Sequence, residues 1–404
     1  MARVAAQLTN FTGGELSPRL DGRNDLTKYS SGCKTLENFI VYPHGAAARR
    51  PGTTFIAEVK NHNQKGRLIP FEFSTTQTYI LEFGNQFIRI YKDQGQVQSG
   101  GSAVEVVTPY LEAELFQIKF AQSADVMYIT HPNHATRKLT RTSHTSWTLT
   151  EVDFTNGPFQ DSNTSTTTLT PSGTTGSVTI TASASTFVST DVNRLLRIGD
   201  GIAKITAFTS ATVVTATTST DFANTNASSN FSLGAFSTTT GFPSCVTFFE
   251  QRLVFAGTTN QPQTIFFSKS GDYENMDANI GGTVADDDAI IYTIASNQVN
   301  AIRFMTATRT LIIGTAGGEF TVSGGGTDSA ITPTNILIKK QSNHGAANVD
   351  AIAVGNATLF LQRAKRKIRE LAYNFDVDGY LAPDMTILAE HVTEGGITQM
   401  AYQQ

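Results

Sequence analysis

The sequence predicts an all-β protein with a propeller-like platform, and three observations carry this prediction. The first is a pattern of three short apolar strands, seen most plainly between Gly241 and Tyr273. There the segments 246–249, 253–257 and 264–268 are aromatic or β-branched and are separated by turn residues, which is typical of an antiparallel meander. One meander cannot bury both faces of its sheet, so it needs copies or a partner sheet.

The second observation is that this pattern recurs along the chain. The copies begin about 45 to 55 residues apart once one insertion is discounted, which is the spacing of propeller blades. With the 241–273 copy there are five. The other four comprise segments 68–73, 79–83 and 87–91; 116–120, 126–129 and 137–139; 301–304, 310–314 and 319–322; and 351–354, 358–361 and 367–371. A sixth copy, which the sequence does not complete, is expected to open at Ile397.

The third observation is the composition of the 404-residue chain. Only 16% of the residues are charged, 39% are hydrophobic, and threonine and serine are abundant, which is typical of a β-rich protein with a hydroxyl surface. The length exceeds one compact core, so we expect two or three structural units. A net charge of −4 supplies no basic footprint for binding nucleic acid.

Cysteine usage and hydropathy set the expected compartment. Cys33 and Cys245 are the only cysteines, which excludes a disulfide framework and a four-thiolate zinc site. No run approaches the ~20 apolar residues of a membrane helix, and the first ten residues lack the apolar core of a signal peptide. We therefore expect a soluble protein, made in a reducing cytoplasm, that does not insert into a membrane.

We expect four segments in the chain. Residues 1–60 form an extended arm, a short helix from Asn24 and a hairpin, followed by a strand at 54–59. Residues 61–159 form the first part of the propeller-like platform, and residues 239–404 form the second part. Segment 160–238, rich in threonine and serine, is an inserted β-barrel or sandwich with strands around 178–180, 195–198, 203–205 and 213–214 and a hairpin turn at 199–201.

The sequence nominates no catalytic residue, no metal site and no cofactor. Asp286, Asp287 and Asp288 fit either a site for a divalent cation or a solvated acidic turn. They lack the spaced oxygen ligands of a calcium loop, and this favours the acidic turn. Three histidines, His131, His134 and His144, lie in a loop-rich stretch. Zinc needs ligands that converge on one surface, and no cysteine lies near these histidines, so we expect no zinc there.

Two basic segments are candidate contacts with DNA or with a neighbouring subunit. The denser is the run 363–369, whose candidate contact residues are Arg363, Lys365, Arg366 and Lys367; its alternative interpretation is a solvated hairpin tip. The second is Arg49 and Arg50, beside Pro51 in a rigid turn between apolar strands.

The N-terminal part of the chain carries a distinctive set of residues. They are Phe11, Gly14, Ser17, Pro18, Arg23, Asp25, Lys28, Tyr29, Gly32, Cys33, Leu36, Glu37, Asn38, Gly45, Arg49, Arg50, Pro51, Gly52 and Thr53. This pattern resembles the nozzle proteins of short-tailed phages, also called tail tubular protein B-like proteins, to which packaged-DNA stabilisation hubs are related. The similarity continues in the 241–273 meander, in 369–371 through 378–380, and in 388–391.

This resemblance implies a non-enzymatic structural protein of the virion tail. It would form a sixfold ring below the portal and its adaptor, contact tail fibres or spikes, and line a channel through which genomic DNA passes without sequence recognition. Family chains usually run past the position of Tyr402, so the last blade is either missing here or closed differently. The assembly contacts that we expect are Phe11, Gly14, Ser17, Arg23, Tyr29, Arg49 and Arg50.

The alternative function is a propeller that binds or hydrolyses surface glycans. It requires, for hydrolysis, two carboxyl groups that flank a cleft, and the sequence alone nominates no such pair. A weakly acidic, hydroxyl-rich chain instead suits a conduit, because each neutralised phosphate steepens the salt dependence of DNA binding and would hold the DNA in the channel.

Overall fold

The computed structural model describes residues 7–279, 282–295, 300–326 and 329–403, and these residues form an all-β, propeller-like protein. Their contacts divide the chain into a terminal unit, residues 1–57 with 351–404, and a central unit, residues 58–350. The expected platform segment 239–404 is therefore split at residue 350. No helix in the described ranges is long and apolar enough to cross a membrane.

The N-terminal part of the terminal unit contains two small sheets. Strands β1 (Gly14–Glu15) and β2 (Gly32–Cys33) pair in parallel. Strands β3 (Phe39–Val41) and β4 (Ala47–Arg49) form the hairpin that the sequence predicts. Short 3-10 helices span Pro18–Leu20 and Tyr29–Ser31.

The helix predicted from Asn24 is wrong, and so is the strand predicted at 54–59. Residues 24–28 form turns, and one 3-10 turn follows. The physical reason is that the backbone of the next residues bonds to the arm: the Gly13 amide donates to Ser31 O at 2.9 Å and the Leu16 amide to Cys33 O at 2.9 Å. A helix this short cannot compensate for its nucleation cost once these carbonyls are used elsewhere.

The first two sheets of the central unit confirm two of the predicted copies, except that the strand predicted at 116–120 begins only at Lys119, because residues 116–117 end a 3-10 helix. The chain adds a fourth main strand to each sheet, and this 3-10 helix, Glu112–Gln117, connects the two sheets. The first sheet contains β5 (Arg67–Ser74), β6 (Gln77–Gly84), β7 (Phe87–Lys92), β8 (Gly95–Gln96) and β11 (Glu105–Val107), beside a small hairpin of β9 (Gln98–Ser99) and β10 (Ser102–Ala103); the second contains β12 (Lys119–Ser123), β13 (Val126–His131), β14 (His134–Arg141) and β15 (Trp147–Glu151).

The inserted segment folds as one six-stranded antiparallel sheet whose two edges meet. Leu169 and Ser228 exchange both backbone hydrogen bonds at 2.9 Å, which joins the β16 edge to the chain just before β21. The predicted turn is confirmed, with Gly199 at φ +59° between paired Ile198 and Gly201. The strands are β16 (Leu169–Pro171), β17 (Ser177–Ala182), β18 (Leu195–Ile198), β19 (Gly201–Ser210), β20 (Val213–Thr220) and β21 (Phe231–Leu233), with a 3-10 helix at Ser189–Asp191.

The remaining three predicted copies are also present, each with a fourth strand. Two belong to the central unit and the last to the terminal unit. Residues 397–403 form no strand, so no sixth copy begins there. The strands are β22 (Cys245–Phe249), β23 (Arg252–Ala256), β24 (Thr264–Phe267), β25 (Ile290–Thr293); β26 (Ile302–Ala307), β27 (Leu311–Thr315), β28 (Gly318–Ser323), β29 (Leu337–Ser342); and β30 (Ile352–Val354), β31 (Ala357–Leu361), β32 (Ile368–Asn374), β33 (Gly379–Leu381), with 3-10 helices Phe375–Val377 and Glu390–Thr393.

The sheets of the central unit pack as successive blades. Without the inserted sheet, the blades of the central unit are numbered first (β5–β8 with β11), second (β12–β15), third (β22–β25) and fourth (β26–β29). The first strands of the second, third and fourth blades are neighbours, because β12 contacts β22 and β22 contacts β26. In the first blade, β11 contacts β15 of the second. One apolar cluster fills the space between the first and second sheets, and another fills the space between the third and fourth. Each sheet therefore buries its faces against the next, which a lone meander cannot do.

Aromatic side chains anchor the inserted sheet to the third blade. Phe154 precedes the insertion and Phe236 lies near its end, after β21, and their rings pack edge to face at 5.4 Å. The Phe154 ring contacts Phe255 at 5.3 Å, and the Phe236 ring contacts Phe266 at 5.0 Å. Both ends of the insertion are thus held on the β23–β24 pair.

Neighbouring residues of β5 supply a direct test of this blade packing. Ile69 is fully buried between blades, whereas the side chain of Leu68, on the other face, is 60% exposed. We expect Ile69→Ala to lower the free energy of unfolding of the central unit by about 2–5 kcal/mol, and Leu68→Ala to change it by less than about 0.5 kcal/mol. Urea unfolding followed by tryptophan fluorescence checks both; equal effects would contradict the assignment of faces.

Candidate assembly surface

The terminal unit joins the two ends of the described chain. The Ser17 amide donates to Leu388 O at 2.8 Å, and the Ile397 amide donates to Lys365 O at 2.8 Å. Arg19 also forms an ion pair with Glu390. Residues 7–20 are therefore bonded to the C-terminal segment of the same chain, and a contact of this arm with a neighbouring subunit stays a prediction.

The Glu15 carboxylate contacts two separate segments of the terminal unit. One of its carboxylate oxygens lies 2.9 Å from His391 Nε2, and the other accepts the Leu36 amide at 2.6 Å. The Leu36 amide, and then His391, hold the pKa of Glu15 below its usual value. The ionised carboxylate thus ties the arm to the segment after β2 and to the 3-10 helix Glu390–Thr393.

The predicted contact residues fall into two groups. Phe11, Gly14, Ser17 and Tyr29 bond within the terminal unit: the Phe11 amide donates to Gly45 O at 2.8 Å, the Tyr29 hydroxyl accepts the Gly22 amide at 3.0 Å, Gly14 has φ +67° in β1, and Ser17 is buried. The other group, Arg23, Arg49 and Arg50, is exposed, with Arg23 paired to Asp25 at 2.6 Å.

The basic block lies on the turn between β31 and β32. Arg363, Lys365, Arg366 and Lys367 are all exposed there. Lys367 forms an ion pair with Asp384 at 2.9 Å, and the other three cations project from the turn into solvent. This is the hairpin tip of the alternative interpretation, and its contact with DNA or a subunit stays a prediction.

The sequence analysis missed the apolar surface of the terminal unit. This unit is the smaller of the two, yet it supplies most of the exposed large hydrophobic side chains of the described residues. They are Leu8, Phe39, Ile40, Tyr42, Phe55, Ile56, Tyr373, Phe375, Val377, Leu381, Met385, Ile387, Val392 and Tyr402. We call these fourteen residues the terminal apolar surface.

The terminal unit buries few apolar side chains in return. Within the described ranges, its buried hydrophobic residues are Leu16, Phe360, Leu361, Leu371 and Ala382, and all four large apolar clusters lie in the central unit. Sequence patterning could have flagged the C-terminal part, since no turn-bounded strand accounts for the apolar residues between 373 and 392. Contiguous exposed apolar surface marks binding sites, so these residues are a candidate surface for binding another molecule.

The acidic turn 286–288 is held by two basic side chains of the third blade. The guanidinium of Arg252 donates to the carbonyl oxygens of Asp286 and Asp288 at 2.6 Å, and Lys269 Nζ lies 2.8 Å from Asp288 Oδ1. Burial acts to raise the pKa of Asp288, but the hydrogen bonds that its carboxylate accepts, chiefly from Lys269, together outweigh this effect and hold the pKa below its usual value. A lysine ammonium in this position competes with a cation, so the contacts favour a structural turn.

Two of the three histidines weighed for metal binding do converge. His131 and His134 lie with ring centres 5.0 Å apart, and His134 Nε2 is 2.9 Å from Glu114 Oε2. His144 lies elsewhere, against the Tyr79 hydroxyl. Glu114 had no sequence signal, because the 3-10 helix that carries it lies outside the strand pattern.

Comparisons with known proteins found only distant structural likeness. No protein-family model matches the chain, and no curated protein matches it. A protein from Lactobacillus plantarum is similar in structure, with 10% identity, 77% of this chain and 82% of that chain covered and a TM-score of 0.34. A putative 6-phosphogluconolactonase from Bacteroides fragilis is similar with 12% identity, 84% and 86% coverage and a TM-score of 0.38. Likeness at this level supports no inference about activity or partners.

Replacing Glu15 tests the link between the two ends of the chain. Because the folded-state pKa of Glu15 is lowered, its contribution is present above the unfolded pKa and is lost as the pH falls through the folded value. We expect Glu15→Gln to cost about 1 kcal/mol at pH 7, seen as roughly fivefold lower hydrogen-exchange protection of residues 11–36 and 388–397. The difference should shrink below about pH 4.

The matched control for this prediction is Glu37→Gln, which changes an exposed carboxylate of the same segment. It should leave the protection unchanged at both pH values. A Glu15→Gln effect of equal size at neutral and acidic pH would contradict an ionic link.

Proposed function

We propose that this protein is a structural subunit of a short phage tail: a nozzle or hub that assembles into a sixfold ring below the portal and adaptor and surrounds the genome channel. The N-terminal resemblance supplies the class of particle. The observation that carries the proposal is the terminal apolar surface, because the described residues of this unit expose more large apolar side chains than they bury, and a partner that covers them would stabilise the unit.

A second copy of this chain is the occupant that suits a ring. Closed rings are built from heterologous contacts, in which one surface of each subunit meets a different surface of the next. The terminal unit offers apolar side chains together with exposed Arg49 and Arg50, and such a mixture of apolar anchors and arginine is typical of interface cores. The adaptor and the fibres or spikes are the further partners that the resemblance implies.

The charge distribution supports passage of DNA rather than its capture. The chain has a net charge of −4, and the acidic turn beside Arg252 and Lys269 is held by ion pairing within the third blade. The exposed basic block is confined to the short turn between β31 and β32. Each phosphate that a protein neutralises strengthens DNA binding and makes it more dependent on salt. A channel that neutralises few phosphates therefore binds the duplex weakly and lets it slide.

The alternative remains a propeller that acts on glycans. An open cleft of about 920 Å³ between the third and fourth sheets is lined by Glu250, Asp286 and Asp287 among others. Glu250 accepts the Ile331 amide at 2.7 Å, and Asp287 lies 3.6 Å from Lys269. A glycosidase needs two carboxyl groups that are free to act on either side of its cleft. Glu250 and Asp287 already contact a backbone amide and a lysine of this chain, so the geometry does not favour this alternative. An oligosaccharide hydrolysis assay with the purified protein distinguishes the two functions: turnover would favour the glycosidase.

Charged substitutions in the terminal apolar surface test assembly. Phe375 is 86% exposed and Ile387 is 65% exposed. We expect purified protein or isolated tails to contain sixfold rings, and Phe375→Asp with Ile387→Asp to reduce the ring fraction at least tenfold at equal concentration, because burying an unpaired carboxylate at an interface is costly. Mass photometry and electron microscopy measure the ring fraction.

Val107→Asp is the matched control, because Val107 is 78% exposed but belongs to the central unit. It should leave ring formation unchanged, and the melting temperature of each variant verifies folding. A strictly monomeric wild-type protein in intact virions would refute the proposal, as would equal losses in all the variants.

Replacing the basic hairpin tests the channel contact. If Arg363, Lys365 and Arg366 meet phosphates, changing all three to Gln should lower the slope of log K against log salt for duplex binding by roughly 0.9 for each phosphate that is no longer neutralised. The control is Lys339→Gln with Lys340→Gln, on exposed positions of β29. Filter binding with random-sequence duplex measures both slopes, and identical slopes would assign the hairpin to a subunit contact or to solvent.

A further inference from the structure

Three metal-ligating side chains converge beside the second blade. Glu114 lies on the 3-10 helix Glu112–Gln117, His131 ends β13 and His134 begins β14. The turn between these strands contains only two residues, so His131 and His134 are paired across it. One ligand atom from each of the three residues lies within 4.8 Å of the others. We propose that this cluster is a binding site for a divalent transition metal of the zinc class.

A second, independent observation points to a ligand at the same place. His131 and Tyr110 are fully buried, and among the described residues neither His131 Nε2 nor the Tyr110 hydroxyl has a hydrogen-bond partner. The Tyr110 ring centre lies 5.3 Å from that of His134 and 6.1 Å from that of His131, so both unpartnered atoms belong to residues of one cluster. Buried polar atoms are costly without a partner, and a bound ion with its water supplies one.

The donor set matches the chemistry of zinc. Two imidazole nitrogens and one carboxylate oxygen are a known three-ligand combination that leaves a fourth position for water. Metal–ligand bonds of about 2.0–2.1 Å place tetrahedral ligand atoms roughly 3.3 Å apart. His134 Nε2 and Glu114 Oε2 are already 2.9 Å apart, so a small opening of this pair admits the ion. The Tyr110 hydroxyl is available to bond the water.

Protons must move when the metal binds. Without metal, His134 Nε2 bonds to Glu114 Oε2, and the ion replaces the proton between them. His131 Nδ1 accepts the Asn133 amide at 3.1 Å, so the neutral ring carries its proton on Nε2. Binding of the metal at Nε2 moves that proton to Nδ1, so the ring stays neutral and the hydrogen bond from the Asn133 amide is given up.

The surroundings provide both support and access. Glu114 Oε2 also accepts the Leu111 amide at 2.9 Å, which orients the carboxylate as outer-shell bonds do in metal sites. His134 also lines a cavity of about 280 Å³ with Arg137, Glu151 and Phe242, so one ligand of the cluster borders open space. A metal here would fasten the connection between the first two blades to the β13–β14 hairpin.

The test uses the full-length protein stripped of metal with a chelator. Zn²⁺ titrated by calorimetry should bind with a stoichiometry of one and a dissociation constant at or below about 1 μM, and saturation should raise the melting temperature. Co²⁺ should give the visible bands of a tetrahedral site. Glu114→Gln and His134→Gln should each weaken binding about 10- to 100-fold.

His62→Gln is the control, because His62 is an exposed histidine of the central unit outside the cluster. It should bind Zn²⁺ as the wild type does. Melting curves without metal identify any variant that fails to fold, and the partly exposed Glu114 and His134 make two independent variants available. Binding that is weaker than about 100 μM, or that Glu114→Gln and His134→Gln leave unchanged, overturns the proposal.

Discussion

The constraint on which the structure depends is that a four-stranded meander has two faces and no core of its own. In the central unit this constraint is met by stacking. Apolar side chains from the first and second blades share one cluster, and those of the third and fourth blades share another. Because every blade needs a neighbour, stability is a property of the series rather than of any single sheet.

The terminal unit follows the same constraint but does not satisfy it internally. Its meander, β30–β33, buries Phe360, Leu361 and Leu371, while the chain after β32 exposes one large apolar side chain after another. Polar links such as Glu15 with His391 order the unit without burying this surface. Under the proposed function, assembly with a second copy of the chain would cover this surface.

The ionisable groups of the central unit serve mainly to fasten loops. Arg252 and Lys269 hold the acidic turn, and Lys119, buried in the second blade, lies 3.2 Å from Asp350. The cluster of Glu114, His131 and His134 differs from the acidic turn, because two buried polar atoms of the cluster's surroundings have no partner among the described residues. That contrast is why this cluster, and not the acidic turn, is the candidate metal site.

Local patterns in the sequence predict the β class, the five repeated meanders and four of the six strands of the insertion, but not β16 and β21. The signal is local alternation, as in β17, where every second side chain is buried despite the threonine-rich composition. The tertiary structure determined the fourth strands, which lie partly exposed at sheet edges, and the loss of the helix at Asn24, whose following carbonyls bond to the arm. It also decided that residues 1–57 and 351–404 form one unit and that Glu114 meets His134. Interactions between residues distant in sequence leave no periodic signal in either partner, so they appear only once the chain is folded.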